Sequence, residues 1–75
     1  MKWRSPMFRN VVESSRGPVL IDTRYTFDGY YETMVFKCDK NGAVDNWIEL
    51  DVDRYPSIME MRDGHQRMIG KWTAK

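Results

Sequence analysis

Apolar and polar residues alternate almost without a break through DGYYETMVFKCDKNGAVDNWIELDVDRY, residues 28–55. Alternation with period two marks a strand with one buried face. Two turn signals divide the ribbon. Asp28-Gly29 lies between β-rich runs and predicts a two-residue type I′ hairpin, which needs positive φ at both turn positions. That turn pairs Phe27 with Tyr30, Tyr25 with Glu32, Thr23 with Met34, Ile21 with Phe36 and Val19 with Cys38. Asp39 to Ala43, DKNGA, predicts a three-residue loop: a type I turn followed by Gly42 in the left-handed region. That loop pairs Met34 with Ile48, Glu32 with Leu50 and Tyr30 with Val52. Under both turns Val19, Ile21, Phe27, Tyr30, Met34, Phe36, Cys38, Ile48, Leu50 and Val52 share one face, the expected core side.

Upstream, SSRGP at 14–18 has similar turn chemistry and implies a first strand at about 7–13. A three-residue loop turns Met7 and Val11 inward, and this is the preferred reading. A four-residue loop turns Phe8 and Val12 inward, and a short helix over MFRNVVES is a third possibility. Residues 1–6 are expected to lie outside the folded part. Downstream the period changes. Ser57 and Glu60 form a capping box, and Ile58, Met61, His65, Met68, Ile69 and Trp72 recur at helical spacing. Gly64 borders this stripe and lets the helix approach the sheet closely. The expected fold is therefore α+β: a four-stranded antiparallel β-meander, strands at about 7–13, 18–27, 30–38 and 46–54, with one C-terminal helix at about 57–72 packed on one face. The expected common core is Met34, Phe36, Ile48, Leu50, Met61, His65, Met68 and Ile69.

Composition sharpens this picture in three ways. A chain of 75 residues is one small domain, and chains of that size bury only about 60% of their unfolded surface. The single cysteine, Cys38, excludes an intramolecular disulfide and favours a reducing, intracellular setting. Twelve basic against 11 acidic residues give a net charge of +1, with no global attraction to nucleic acid or acidic membranes. No apolar run approaches the roughly 20 residues of a membrane span.

Chemistry-bearing residues are few. His65, the sole histidine, is a general base or metal ligand on one reading, and a packed histidine bonded to a strand residue such as Glu32 on the other. Glu49, Asp51 and Asp53 alternate on the expected outer face of the last strand. They read as a cation site or, more economically, as a charged and solvated edge. Cys38 reads as an inert inward thiol. No catalytic residue, cofactor or metal site is assigned. The expected outer face carries Leu20, Tyr31, Val35 and Trp47, with Val35 opposite Trp47. Arg24, Lys37, Glu49 and Asp51 surround these four, and an apolar patch rimmed by charge is a candidate interaction surface. The first expectation is a non-enzymatic protein that binds a protein partner, or itself, through that face. Stacking of single-stranded bases on Tyr31 and Trp47 is a second expectation, opposed by the acidic row. A small-ligand site between two subunits is a third.

GYYETMVFKCDKNGAVDNWIELDVDRY, followed by GHQRMIGKW on the helix, resembles small proteins encoded by bacteriophages and prophages of Gram-positive hosts. The resemblance spans about residues 29–72. It is carried by Tyr31-Glu32-Thr33-Met34-Val35-Phe36 and Gly64-His65. It implies a phage origin and action in the cytoplasm of a bacterial host. The group has no assigned activity, so it lends no functional residue to this chain.

Overall fold

The computed structural model describes residues 3–74, with side chains from Met7 onward. Strands β1 (Trp3–Ser14), β2 (Gly17–Thr26), β3 (Tyr31–Lys37) and β4 (Asp51–Tyr55) precede one helix, α1 (Ile58–Trp72). The strands form one antiparallel sheet in the order β1-β2-β3-β4, with α1 packed across one face. The α+β meander inferred from the period changes is the architecture found. β1 starts at Trp3, so residues 3–6 belong to the sheet; residues 1 and 2 lie outside the described residues.

The register differs from expectation at β2–β3. Ile21 pairs with Val35, and Tyr25 with Tyr31. The Asp28-Gly29 turn is not type I′, because no residue other than glycine has positive φ among the described residues. Instead Gly29 N–H bonds to Thr26 C=O, Gly29 has φ +90°, and Thr26 N–H bonds to Tyr30 C=O. This is a three-residue loop, a type I turn closed by a left-handed glycine. The Thr26 hydroxyl supports it by accepting from Tyr30 N–H and bonding the Asp28 carboxylate. One extra loop residue moves every side chain of β3 to the opposite face.

At β3–β4 the expected turn does form. Gly42 N–H bonds to Asp39 C=O, Gly42 has φ +86°, and Cys38 bridges to Val44. Continuing that register would set Val35 opposite Trp47. Val35 instead pairs with Asp51, four positions later. Residues 46–49 loop out, held partly by Ile48 N–H to Asn46 Oδ1. Four is even, so β4 keeps its facing relative to β3. The expected pair of Met34 with Ile48 becomes Met34 with Val52.

The sheet consequently has two covered faces rather than one. Val19, Ile21 and Val35 of the sheet pack against Met68 of α1, with Val12 of β1 and Ile69 and Trp72 of α1 around them. On the opposite face Leu20 pairs with Phe36, Met34 lies two residues from Phe36, and all three are buried. The β3–β4 connection covers this second face. Trp47 packs edge-on against Phe36 at 5.0 Å, and Gly42 sits against Val11 so closely that a Cβ there would lie 3.1 Å from Val11 Cγ2. The expected single core is therefore corrected. Met34 and Phe36 lie away from the helix, while Ile48 (69% exposed) and Leu50 are not core residues. In β1, Phe8 and Val12 face α1, so the inward placement of Met7 and Val11 is also corrected.

α1 begins as its capping box requires. Glu60 N–H donates to Ser57 Oγ, and the Ser57 hydroxyl donates to Glu60 Oε2. The helix buries Met61, Gly64, His65 and Met68 on one stripe. Gly64 is placed where the sheet needs it. A Cβ there would lie 2.0 to 2.3 Å from the ring and hydroxyl of Tyr55.

Candidate interaction surface and the polar layer under the helix

The four residues expected to share an outer face do not. Leu20 is buried away from the helix, whereas Val35 is buried beneath it. Tyr31 shares Val35's face at half-burial and packs at a tilt against Tyr25, with ring centres 5.0 Å apart. Of the four, only Trp47 is an exposed aromatic on the far face, 57% accessible. The one-residue change at the Asp28-Gly29 loop separated Val35 from Leu20, and the looping-out of 46–49 separated it from Trp47. Together they also remove a shared platform for base stacking, since Tyr31 and Trp47 lie on opposite sides of the sheet.

A different surface forms in its place. Trp47, Ile48 and Leu50 follow one another in the connection, and Val52 continues onto β4 beside Met34. All four are exposed, although Trp47 packs on the buried Phe36 and Val52 pairs with the buried Met34. The alternation of Ile48, Leu50 and Val52 is correct for a buried face, but the connection that covers that face is too short to enclose them.

Toward the Asp28 end, the same face becomes ionic. Asp22, fully buried, receives Arg24 at 3.0 Å through Oδ2 and lies 3.8 Å from Arg9 Nε. Arg54 bonds Glu32 at 3.2 Å and also Asp28, and its guanidinium lies over the Tyr30 ring. Three arginines thus meet three carboxylates, so this half of the face is close to neutral. Thr26 and Arg54 hold the Asp28 carboxyl below its ordinary range.

Beneath α1 runs a polar layer that the sequence only hinted at. His65 is 2% exposed. Its Nδ1 lies 2.6 Å from Thr23 Oγ1, its Nε2 2.7 Å from Asn10 Oδ1, and Thr23 Oγ1 lies 2.6 Å from Thr33 Oγ1. An amide oxygen only accepts, so Nε2 carries the proton and donates to Asn10, while Nδ1 accepts from the Thr23 hydroxyl. Both ring nitrogens are therefore engaged by the sheet. The packed-histidine reading describes this site, with Thr23 and Asn10 as partners; Glu32 lies on the other face. Burial pushes the His65 pKa below its ordinary value, against a smaller opposing pull from Asp22. A cleft of ≈ 360 Å³ opens beside it, lined by Phe8, Asn10, Arg62, Asp63 and Gln66.

The acidic row is reassigned as well. Asp51 faces the helix, not the outer side. Its Oδ2 accepts from Trp72 Nε1 at 2.9 Å and from Lys71 at 2.8 Å. Burial raises the Asp51 pKa, but the Lys71 and Trp72 bonds outweigh it and leave the group below its usual range. Asp53 accepts from the Tyr55 hydroxyl, whose pKa is pushed up to about 12, first by burial and then by that carboxylate. Asp51 and Asp53 also accept from the N–H groups of Val52 and Arg54. Glu49 lies in the looped-out 46–49 segment and is exposed. Cys38 is buried, and desolvation, then Asp39, raises its pKa, which disfavours the reactive thiolate.

No helix among the described residues is long and apolar enough to cross a membrane. Compared with known proteins, the chain matches no family model, no curated protein and no solved structure.

Proposed function

We propose that this chain is a non-enzymatic interaction module that docks a protein partner on the sheet face opposite α1. The observation that carries this reading is Trp47, 57% exposed, seated edge-on over the buried Phe36 and continuous with exposed Ile48, Leu50 and Val52. An aromatic anchor of this kind has a supported base and a free outer edge, the arrangement that lets a hot spot fill a partner's pocket. The neighbouring ion network is charge-balanced, so it offers directional polar contacts without a strong field of either sign. His65 has no catalytic role in this reading, because both ring nitrogens bond the sheet. The resemblance to phage-encoded proteins makes a bacterial host or phage protein the proposed partner class, met in the host cytoplasm.

The test is capture from a Gram-positive host lysate, identification of the bound protein, and titration of wild type against Trp47→Ala. Anchors at interface centres commonly cost about 2 kcal/mol or more on truncation, and that loss weakens affinity roughly thirtyfold. The circular dichroism spectrum should be unchanged. Equal affinity of the two proteins would remove the reading.

A further inference from the structure

The sheet has two edges, and they are treated differently. On β4, alternation of the antiparallel ladder turns the N–H groups of Val52 and Arg54 outward. Both are occupied by the carboxylates of Asp51 and Asp53, at 3.0 and 2.9 Å. That edge is closed to another strand.

β1 is the longest strand, and most of its outer edge is open. Ser14 pairs with Gly17, Asn10 with Ile21 and Val12 with Val19, while Pro18 C=O is turned the other way, to Cys38 N–H. The odd-numbered residues Arg9, Val11 and Glu13 therefore present backbone N–H and C=O away from β2. Ala74 N–H donates to Glu13 C=O at 2.8 Å, which shows directly which way that carbonyl points. Among the described residues, no bond outside the sheet ladder engages the N–H or C=O of Arg9 or Val11. These residues are exposed, and their side chains lie on the face away from α1, where Arg9 approaches Asp22 and Val11 touches Gly42.

We propose that the β1 edge pairs antiparallel with the β1 edge of a second copy of this chain, about a two-fold axis at Val11. The side chains select that register. With Val11 opposite its own counterpart, Arg9 of each copy faces Glu13 of the other, so two opposite-charge pairs flank an apolar centre on one face. Moving the axis to Arg9 would oppose two arginines, and moving it to Glu13 would oppose two carboxylates. A symmetric contact is self-complementary only if its own pattern is, and Arg9-x-Val11-x-Glu13 satisfies that condition. Backbone bonds then run between Val11 and Val11, and between Arg9 and Glu13, joining the two sheets into one. Ala74 occupies the end of this edge and gives way when Glu13 pairs.

The inference does not depend on the Trp47 surface. Sedimentation velocity or light scattering over a concentration series is expected to show a monomer–dimer equilibrium. Val11→Pro removes an outward N–H and no bond of the β1–β2 ladder, so a folded monomer is expected. Glu13→Arg, at an exposed side chain, should also be a folded monomer because it faces Arg9 of the second copy. Mixed with Arg9→Glu, it should dimerise again, since each repelling pair becomes an attracting one. Trp47→Ala should leave the dimer intact. A wild type that stays monomeric into the millimolar range overturns the proposal. So does a dimer that survives both Val11→Pro and Glu13→Arg. If Val11→Pro fails to fold, Glu13→Arg and its mixture decide.

Discussion

Gly64 and Gly70 lie six residues apart on α1 and should respond oppositely to the same substitution. Helix propensity favours alanine over glycine by up to about 1 kcal/mol in a helix interior. At Gly70 nothing lies within 4 Å of a new Cβ, so Gly70→Ala should raise the melting temperature. At Gly64 the new Cβ would overlap the Tyr55 ring, with its nearest ring atom 2.0 Å away. Overpacking of that kind costs about 1 to 3 kcal/mol, more than propensity returns, so Gly64→Ala should lower it. A Gly64→Ala variant at least as stable as wild type would show that Tyr55 is free to move.

His65 makes a second prediction at this scale, and its sign follows from the direction of the shift. The folded protein holds the neutral ring below its ordinary pKa of 6.5, so in that region the unfolded chain binds more protons. The stability from the neutral ring is complete above about pH 6.5 and is lost as pH falls toward the lower folded value. Protonated Nδ1 could no longer accept from Thr23, although the Asp22 charge on the opposite sheet face limits the penalty. Urea midpoints measured from pH 8 down to pH 5 should fall in wild type and fall less in His65→Gln, which has no titrating group at that position. Parallel profiles for the two proteins would assign the acid sensitivity elsewhere.

The looped-out 46–49 segment is the decisive element-scale feature, because an even insertion shifts pairing without reversing faces. Deleting residues 46–49 would continue the ladder directly from the Cys38–Val44 bridge. Met34 and Val52 should remain neighbours in nuclear Overhauser spectra, still on the face away from α1. Phe36 would lose its edge-on partner Trp47, an aromatic contact worth about 0.5 to 1.5 kcal/mol beyond area burial, so the melting temperature should fall. Contacts from Val52 to Met68 in that variant would mean that the connection, rather than burial, decides which face β4 presents. The helix was legible element by element, because its Ser57–Glu60 box and its Met61–His65–Met68 spacing are local signals. The DKNGA turn was legible in position and length, the Asp28-Gly29 loop in position but not in length. Asp28-Gly29 fits both a two-residue and a three-residue loop, and only the φ of Asp28 separates them.

For the whole molecule, the sequence by itself determined the number and order of elements, the antiparallel connectivity and the helix that covers one face. Those properties follow from periodicity and turn chemistry, which act over a few residues. Tertiary structure alone decided which face of β3 meets the helix. The run Met34-Val35-Phe36 is buried on both sides, by α1 on one and by the β3–β4 connection on the other. A strand apolar on both faces carries no alternation to report its facing. The candidate surface moved for the same reason. Val35 went under the helix, Leu20 under the connection, and Ile48, Leu50 and Val52 were left beside Trp47 at a border that a small domain has too little chain to cover.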